Sequence, residues 1–423
     1  MTTNKRLTCW IFIDALGWEL FQRRPLLADL WRTTAPMDSI LGYSCACDPT
    51  ILTGKMPREH GHFSFFVPAQ GRSPLASMSW LRWFPERLEN HGRVRSRLSR
   101  HLARREGFTG YFQLYHVPAR YLKHFDYSEQ RDLYQPGGIN GGQATFLDSL
   151  REDDVPFWMG DWRQGDEANV AEARRTIDQG EVAFAYLYLA RLDGRLHAEG
   201  LDGASIEPQL SWYETRLREL HELASRRYQD VRFRLISDHG MANVTHGVDL
   251  QARLRTTGLE IGRDYLVMLD STMARFWFWG TSEQRQQRAA RVTEALADEP
   301  AGHWLDDEEL ASLGCDFPDR RFGDAIFLLH EGGLIVPSFM NRRFVAGMHG
   351  YHPSSPSATA TVAATESMSL PPTRLDGIFD CVERDIDWLL GRSPRVGDTE
   401  IPRHPIPVMG FGPATSSMES PVP

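Results

Sequence analysis

The sequence predicts an α/β protein: a doubly wound, mostly parallel central sheet with helices on both faces, plus capping insertions. Three observations predict it. Short, nearly continuous apolar runs at 7–13, 182–189 and 231–236 suit strands covered on both faces. Helical patterns at 165–178 and 206–228 fall between them, the second with Trp212, Leu217, Leu220 and Leu223 at helical spacing. A chain of 423 residues, 41% hydrophobic and 24% charged, is long enough for a large core with insertions. Alternation of strands and helices over such a length is the mark of a doubly wound sheet, whose chemistry gathers at the carboxyl ends of its strands.

Taken in order, the first strand at 7–13 ends in Asp14. A block at 68–141 then breaks the rhythm: it is rich in arginine and aromatics and holds a basic helix-like piece at 88–105. The strand at 182–189 leads into ARLDGRLHAEG, and the strand at 231–236 into SDHGM. A second irregular block follows at 243–343, with short apolar pieces at 265–270 and 275–279. Both blocks read as caps over the sheet, where substrate selectivity resides. One domain is expected over 1–391, and the Pro-, Ser- and Gly-rich segment 392–423 is expected to be a disordered tail. No solenoid-type repeat is visible.

Charge and cysteine content narrow the function. With 47 Lys and Arg against 56 Asp and Glu, the formal charge is −9. That balance argues against a polymeric nucleic acid or an anionic membrane as partner, since both select basic stripes. Lysine occurs only at positions 5, 55 and 123, an imbalance that coding bias explains. The five cysteines are odd in number and lack the spacing of a disulfide framework, which suits a reducing compartment. The first apolar run is too short for a signal peptide, and no apolar stretch approaches the ~20 residues of a spanning helix. A cytoplasmic location and a small-molecule substrate are the expectation.

The chemistry-bearing residues cluster where strands end. Asp14 closes the first strand; Asp193 and His197 follow the second; Asp238 and His239 close the third; His349 sits in AGMHGY. Asp193 and His197 are four apart, so one helical turn puts them on one face. Carboxylate and imidazole are the ligands that zinc and similar divalent ions take at low coordination number. Three of each, with a hydroxyl completing one sphere, are enough for two ions, which clamp both oxygens of an in-line displacement at phosphorus from ~4 Å apart. Ser44, in GYSCACDPTILTGKMPREHG, supplies such a hydroxyl. Alone, each residue has a plainer reading: Asp14 as a helix cap, Asp193 and His197 as a surface pair, His349 as a turn residue.

The chain resembles the alkaline phosphatase superfamily, and within it the type I phosphodiesterase/nucleotide pyrophosphatase branch. Five pieces appear in that branch's order: Asp14; Ser44, ten residues before the glycine of Thr53-Gly54-Lys55-Met56-Pro57-Arg58-Glu59-His60-Gly61; Asp193 with His197; Asp238-His239-Gly240-Met241; and Gly347-Met348-His349-Gly350-Tyr351. The resemblance implies an alkaline phosphatase-like fold and two metal sites. One would hold Asp14, Asp238, His239 and the Ser44 oxygen, the other Asp193, His197 and His349. The usual metal is zinc, with manganese as another candidate. Ser44 would be the nucleophile, forming a phosphoserine intermediate in the hydrolysis of phosphodiester or pyrophosphate bonds.

Two departures stand out. Serine replaces the threonine many branch members carry, a mild change. Cys47 stands where the branch often places an asparagine that donates to a phosphoryl oxygen, a role a thiol fills poorly; the backbone N–H of Cys45 and the side chain of Lys55 are the candidates to replace it. This difference keeps open a phosphomonoesterase, a phosphonate hydrolase or a phosphoryl transferase, and at further remove a non-catalytic scaffold of the same fold. Cys45 and Cys47 read as small buried residues, His60 as structural, and His352 as a solvated loop residue. Phe63, Phe65, Phe66, Trp80, Trp83 and Phe84 read first as core and second as a surface for stacking a ring.

Overall fold

Alternation within single strands sets the architecture. In β1 (Arg6–Ile13), Leu7, Cys9, Ile11 and Ile13 enter one hydrophobic core, while Trp10 and Phe12 enter another on the opposite face. The computed structural model describes residues 5–84 and 91–393. From residue 394 onward the tail expected at 392–423 lies outside the described residues, as does the start of the helix expected at 88–105, which is described over Gly92–Glu106.

Among the described residues, six strands form the central sheet: β1, β2 (Thr33–Met37), β3 (Phe157–Met159), β4 (Phe184–Leu189), β5 (Asp230–Ile236) and β6 (Ala360–Ala364). Their order is β2-β6-β5-β1-β4-β3. The β5-β1-β4-β3 part is parallel, and β6 runs antiparallel to both its neighbours. β4 repeats the two-faced pattern, with Ala185, Leu187 and Leu189 on one side and Phe184, Tyr186 and Tyr188 on the other. A sheet apolar on both faces is stable only when both are covered.

Helices provide the cover. α1 (Ser44–Thr53) and α2 (Phe146–Glu152) lie over one face; α3 (Asp166–Gln179), α4 (Arg191–Glu199) and α5 (Ile206–Arg227) lie over the other; α6 (Gly377–Leu390) returns to the first. The assignment follows from the cores: Ile51, Leu147 and Ile378 join Trp10 and Phe12, whereas Ala173, Leu192 and Leu217 join Leu7 and Ile11. α6 is fastened by a buried charge cluster. Its Asp385 accepts hydrogen bonds from Thr8 (3.0 Å), Trp10 (3.0 Å), Arg232 (3.1 Å) and Arg234 (2.6 and 2.7 Å).

The two irregular blocks form one structure. The 243–343 block builds a four-stranded antiparallel sheet from Tyr265–Leu269, Met273–Phe278, Gly302–Leu305 and Ala325–Leu329. Val267, Leu269 and Phe276 of that sheet share a core with Leu75, Leu102, Phe112 and Phe125 of the 68–141 block. Buried Arg275 ties the second block to the segment just before the first, donating to Asp270 (2.7 Å) within its own block and to Ser64 Oγ (2.9 Å) and the Phe66 carbonyl (2.9 Å). Among the described residues, no helix is long and apolar enough to cross a membrane.

Candidate functional site

The carboxyl ends of β1, β4 and β5 point to one place. Asp14 follows β1 directly, Asp193 and His197 lie on α4 just after β4, and Asp238 and His239 follow β5. His349 arrives from the turn after Gly347–Met348, a short strand paired with Ala242–Asn243. Ser44 is the first residue of α1, after the extended Tyr43. Asp14 does not cap the following helix, whose N-cap is Gly17. Asp193 and His197 are partly buried and 3.2 Å apart, so they are not a surface pair.

The ligand atoms form two groups. Those of Asp14, Asp238 and His239 lie within 4.8 Å of one another, as do those of Asp193, His197 and His349. The stacked rings of His239 and His349, 3.7 Å between centroids, place the groups side by side. Ser44 Oγ is 3.3 Å from His239 Nε2.

The hydrogen-bond pattern suits a cation at each group. His197 Nδ1 donates to the Gly347 carbonyl and His239 Nδ1 to the Gly240 carbonyl, each at 2.9 Å. With Nδ1 carrying the proton, the Nε2 lone pair of each ring is left facing a carboxylate oxygen, Asp193 at 3.2 Å and Asp238 at 3.1 Å. Two lone pairs at that separation repel unless a proton or a metal ion serves both. Asp14 Oδ1, Asp193 Oδ1, Asp238 Oδ2 and His349 Nδ1 are buried with no hydrogen-bond partner, which is costly in the absence of a cation. The residues therefore fit two divalent ions.

The same crowding moves the pKa values. Burial, then Asp238 and Asp193, push the Asp14 carboxyl well above the usual range. Burial works to lower His239, but Asp238 outweighs it and the imidazole rises to about 9. Burial and His239 hold His349 well below the ordinary imidazole value. Burial opposes ionisation of Asp193 too, but His197 prevails and its carboxyl is held low.

Both groups open into a cavity of about 460 Å³. Its wall includes residues for which the sequence offers no motif: Tyr111 with Tyr115, Glu129, Trp162 and Tyr188 come from four separate stretches. Asp48 was legible in principle, one turn after Ser44 on α1. Its carboxyl accepts from Tyr134 Oη at 2.8 Å, and burial and Asp238 raise it to about 7.

Several secondary expectations are revised. Cys47 is buried in the core beneath α1, its Sγ 3.8 Å from Ser39 Oγ, and is not among the cavity-lining residues. Lys55 is not among the cavity-lining residues, whereas Cys45 is, at the first turn of α1 where backbone N–H groups lack intrahelical acceptors. His352 is not a solvated loop residue; it lies 3.5 Å from Glu309 and bonds Ser354. His60 is structural, buried against Thr50 at 3.0 Å. The aromatic group divides: Phe63 and Phe66 are core, Phe65 lines the cavity, and Trp80, Trp83 and Phe84 are exposed.

Fold and site together define a class, α/β proteins with a mostly parallel sheet that gather carboxylates and imidazoles at its strand ends. Within it, the chain belongs to the type I phosphodiesterase/nucleotide pyrophosphatase family, whose profile matches residues 8–352. It is thus a hydrolase of phosphoric ester or anhydride bonds, dependent on divalent metal. The fold is similar to that of human ectonucleotide pyrophosphatase/phosphodiesterase 5, at a TM-score of 0.63 and 12% identity over 92% of this chain and 96% of that one. The murine enzyme of the same name, solved alone and as an inactive form with AMP, gives 0.61 and 13% over the same shares. No curated protein matches the chain in sequence.

Proposed function

We propose that this chain hydrolyses phosphodiester or pyrophosphate bonds of small molecules through a phosphorylated Ser44. Asp14, Asp238, His239 and Ser44 would hold one divalent ion, and Asp193, His197 and His349 the other, with zinc the first choice and manganese the second. The observation that carries the reading is Ser44 Oγ, 3.3 Å from His239 Nε2 and lining the cavity into which both ligand groups open. The ions supply Lewis acidity, which makes the serine alkoxide accessible at neutral pH and neutralises charge on the departing oxygen.

The protein's own residues do the rest. Ser44 Oγ forms a bond to phosphorus as the ester or anhydride oxygen opposite it leaves. The Cys45 N–H, in the first turn of α1, would donate to a phosphoryl oxygen. Water then cleaves the P–O bond to serine and restores the hydroxyl. The 68–141 and 243–343 blocks, as caps on a 1–391 catalytic domain, select the substrate; a phosphoester of the size of AMP, which the murine relative binds, suits the cavity. The five free, buried cysteines favour a cytoplasmic setting.

The test is chemical trapping. Zinc- or manganese-loaded protein, acid-quenched during turnover of a ³²P-labelled diester, should retain label on Ser44 and lose it in Ser44→Ala. Turnover with no labelled protein, and an unimpaired Ser44→Ala, would eliminate the covalent route.

A further inference from the structure

Away from the catalytic cavity, the 68–141 block presents an outward face with two regular patterns. The 3₁₀ helix Pro74–Trp83 buries Leu75, Met78 and Leu81, spaced as that helix repeats, and turns residues between them outward. Trp80, Trp83 and the following Phe84 are 46%, 77% and 47% exposed. Trp80 and Phe84 pack edge to face with centroids 5.5 Å apart, and the Arg82 guanidinium lies over the Trp83 ring at 4.9 Å. Large rings gathered in water, rather than scattered singly, mark a contact surface.

The helix Gly92–Glu106 is basic and two-sided. It carries six arginines and a single acid, Glu106. Arg95, Ser99 and Leu102 form its buried side: Arg95 donates to the Val117 carbonyl at 3.0 Å, Ser99 Oγ accepts the Leu114 N–H at 2.9 Å, and Leu102 shares a core with Leu75 and Met78. Arg93, Arg97, Arg100 and Arg104 are all exposed, and their spacing of four, three and four puts them in one stripe on the opposite side. None of the four forms an ion pair among the described residues. A groove of about 420 Å³ extends the charge towards the exposed rings. Arg82, Phe84, His116, Arg120 and Arg342 line it, and no acidic side chain does so among the described residues.

We propose that this face docks on an anionic lipid bilayer. The arginine stripe pairs with lipid phosphate and carboxylate groups, to which a guanidinium donates two hydrogen bonds at once. Trp80, Trp83 and Phe84 enter the headgroup region, where aromatic rings find both apolar and polar surroundings. The formal charge of −9 belongs to the whole chain, and screening beyond ~8 Å at physiological salt leaves the local patch to decide. A nucleic acid would meet the same arginines, but Trp80 and Trp83 are already engaged with Phe84 and Arg82, which favours insertion into lipid over the stacking of bases. None of these residues lines the catalytic cavity, so docking is independent of the hydrolytic chemistry.

Vesicle flotation is the test. The full chain should float with vesicles of phosphatidylcholine and phosphatidylserine and stay behind with phosphatidylcholine alone. Binding to the anionic vesicles should fall about tenfold or more between ~0.1 and ~0.5 M NaCl. Arg97→Gln combined with Arg100→Gln should lower the partition coefficient about tenfold, and Trp83→Ala about fivefold. All three side chains are exposed, so the variants keep the fold. Arg174→Gln combined with Arg175→Gln, on exposed positions of α3, should partition as the wild type does. No flotation with anionic vesicles, equal flotation with neutral ones, or unchanged partitioning of the Arg97/Arg100 or Trp83 variants would overturn the proposal. Retention on single-stranded RNA without vesicle binding would overturn it too, in favour of a nucleic-acid partner for the stripe.

Discussion

Asp238 divides its work between its two oxygens. Oδ1 accepts the backbone N–H groups of Ala15 (3.2 Å) and His239 (3.0 Å), fixing the turn after β5 against that after β1. Oδ2 is buried with no hydrogen-bond partner and lies 3.1 Å from His239 Nε2. Asp238→Asn keeps the first function, because the amide oxygen takes over from Oδ1, and removes the second. The variant should fold with little change in melting temperature, lose a metal equivalent by elemental analysis, and lose roughly 10³-fold or more in kcat. Full metal content in that variant would show that Oδ2 is not a ligand. All seven residues singled out as ligands or nucleophile sit in short motifs, six beside strand ends and Ser44 at a helix start, and the structure brings them together. Glu129, Tyr111 and Tyr115 were not legible in the sequence, since nothing local to 111–129 distinguishes a cavity wall from packing.

Elements follow the same division between local and long-range information. β1, β4 and β5 were readable because a strand buried on both faces has to be apolar at almost every position. β2 and β6, in which Thr33, Thr34, Ala35, Ala360 and Ala363 supply the surface, lack that density and pair only with each other and with β5. β3 has three residues and no visible period. The attachment of α6 was likewise hidden, because Asp385 meets Arg232 and Arg234 across about 150 positions of sequence. Burial works to raise the Asp385 carboxyl, but Arg234 outweighs it and holds it below the usual range. A carboxyl depressed in the folded state stabilises above its unfolded pKa of about 3.9, and that contribution disappears as pH falls through the folded value. Asp385→Asn should therefore cost ~3–5 kcal/mol in urea unfolding at pH 7, since Arg234 is left buried and uncompensated. The gap between variant and wild type should narrow below about pH 4; a cost that is the same at pH 3 and pH 7 would contradict the ion-pair origin.

At the scale of the molecule, a two-faced sheet presents three strand ends, and residues of both irregular blocks line the cavity there. The sheet and its motifs were predictable from patterning; the joining of the 68–141 and 243–343 blocks through one core was not, since it depends on contacts between distant segments. On the proposed function, the strand ends would supply the chemistry and the two blocks the selection of substrate. Whether the strand ends hold two metal ions decides the rest. The measurement is anomalous diffraction at the zinc edge from crystals grown with zinc. Two peaks are expected, one touching Asp14, Ser44, Asp238 and His239 and the other touching Asp193, His197 and His349. One peak alone, or none at either group, would contradict the bimetallic site on which the phosphoserine chemistry is built.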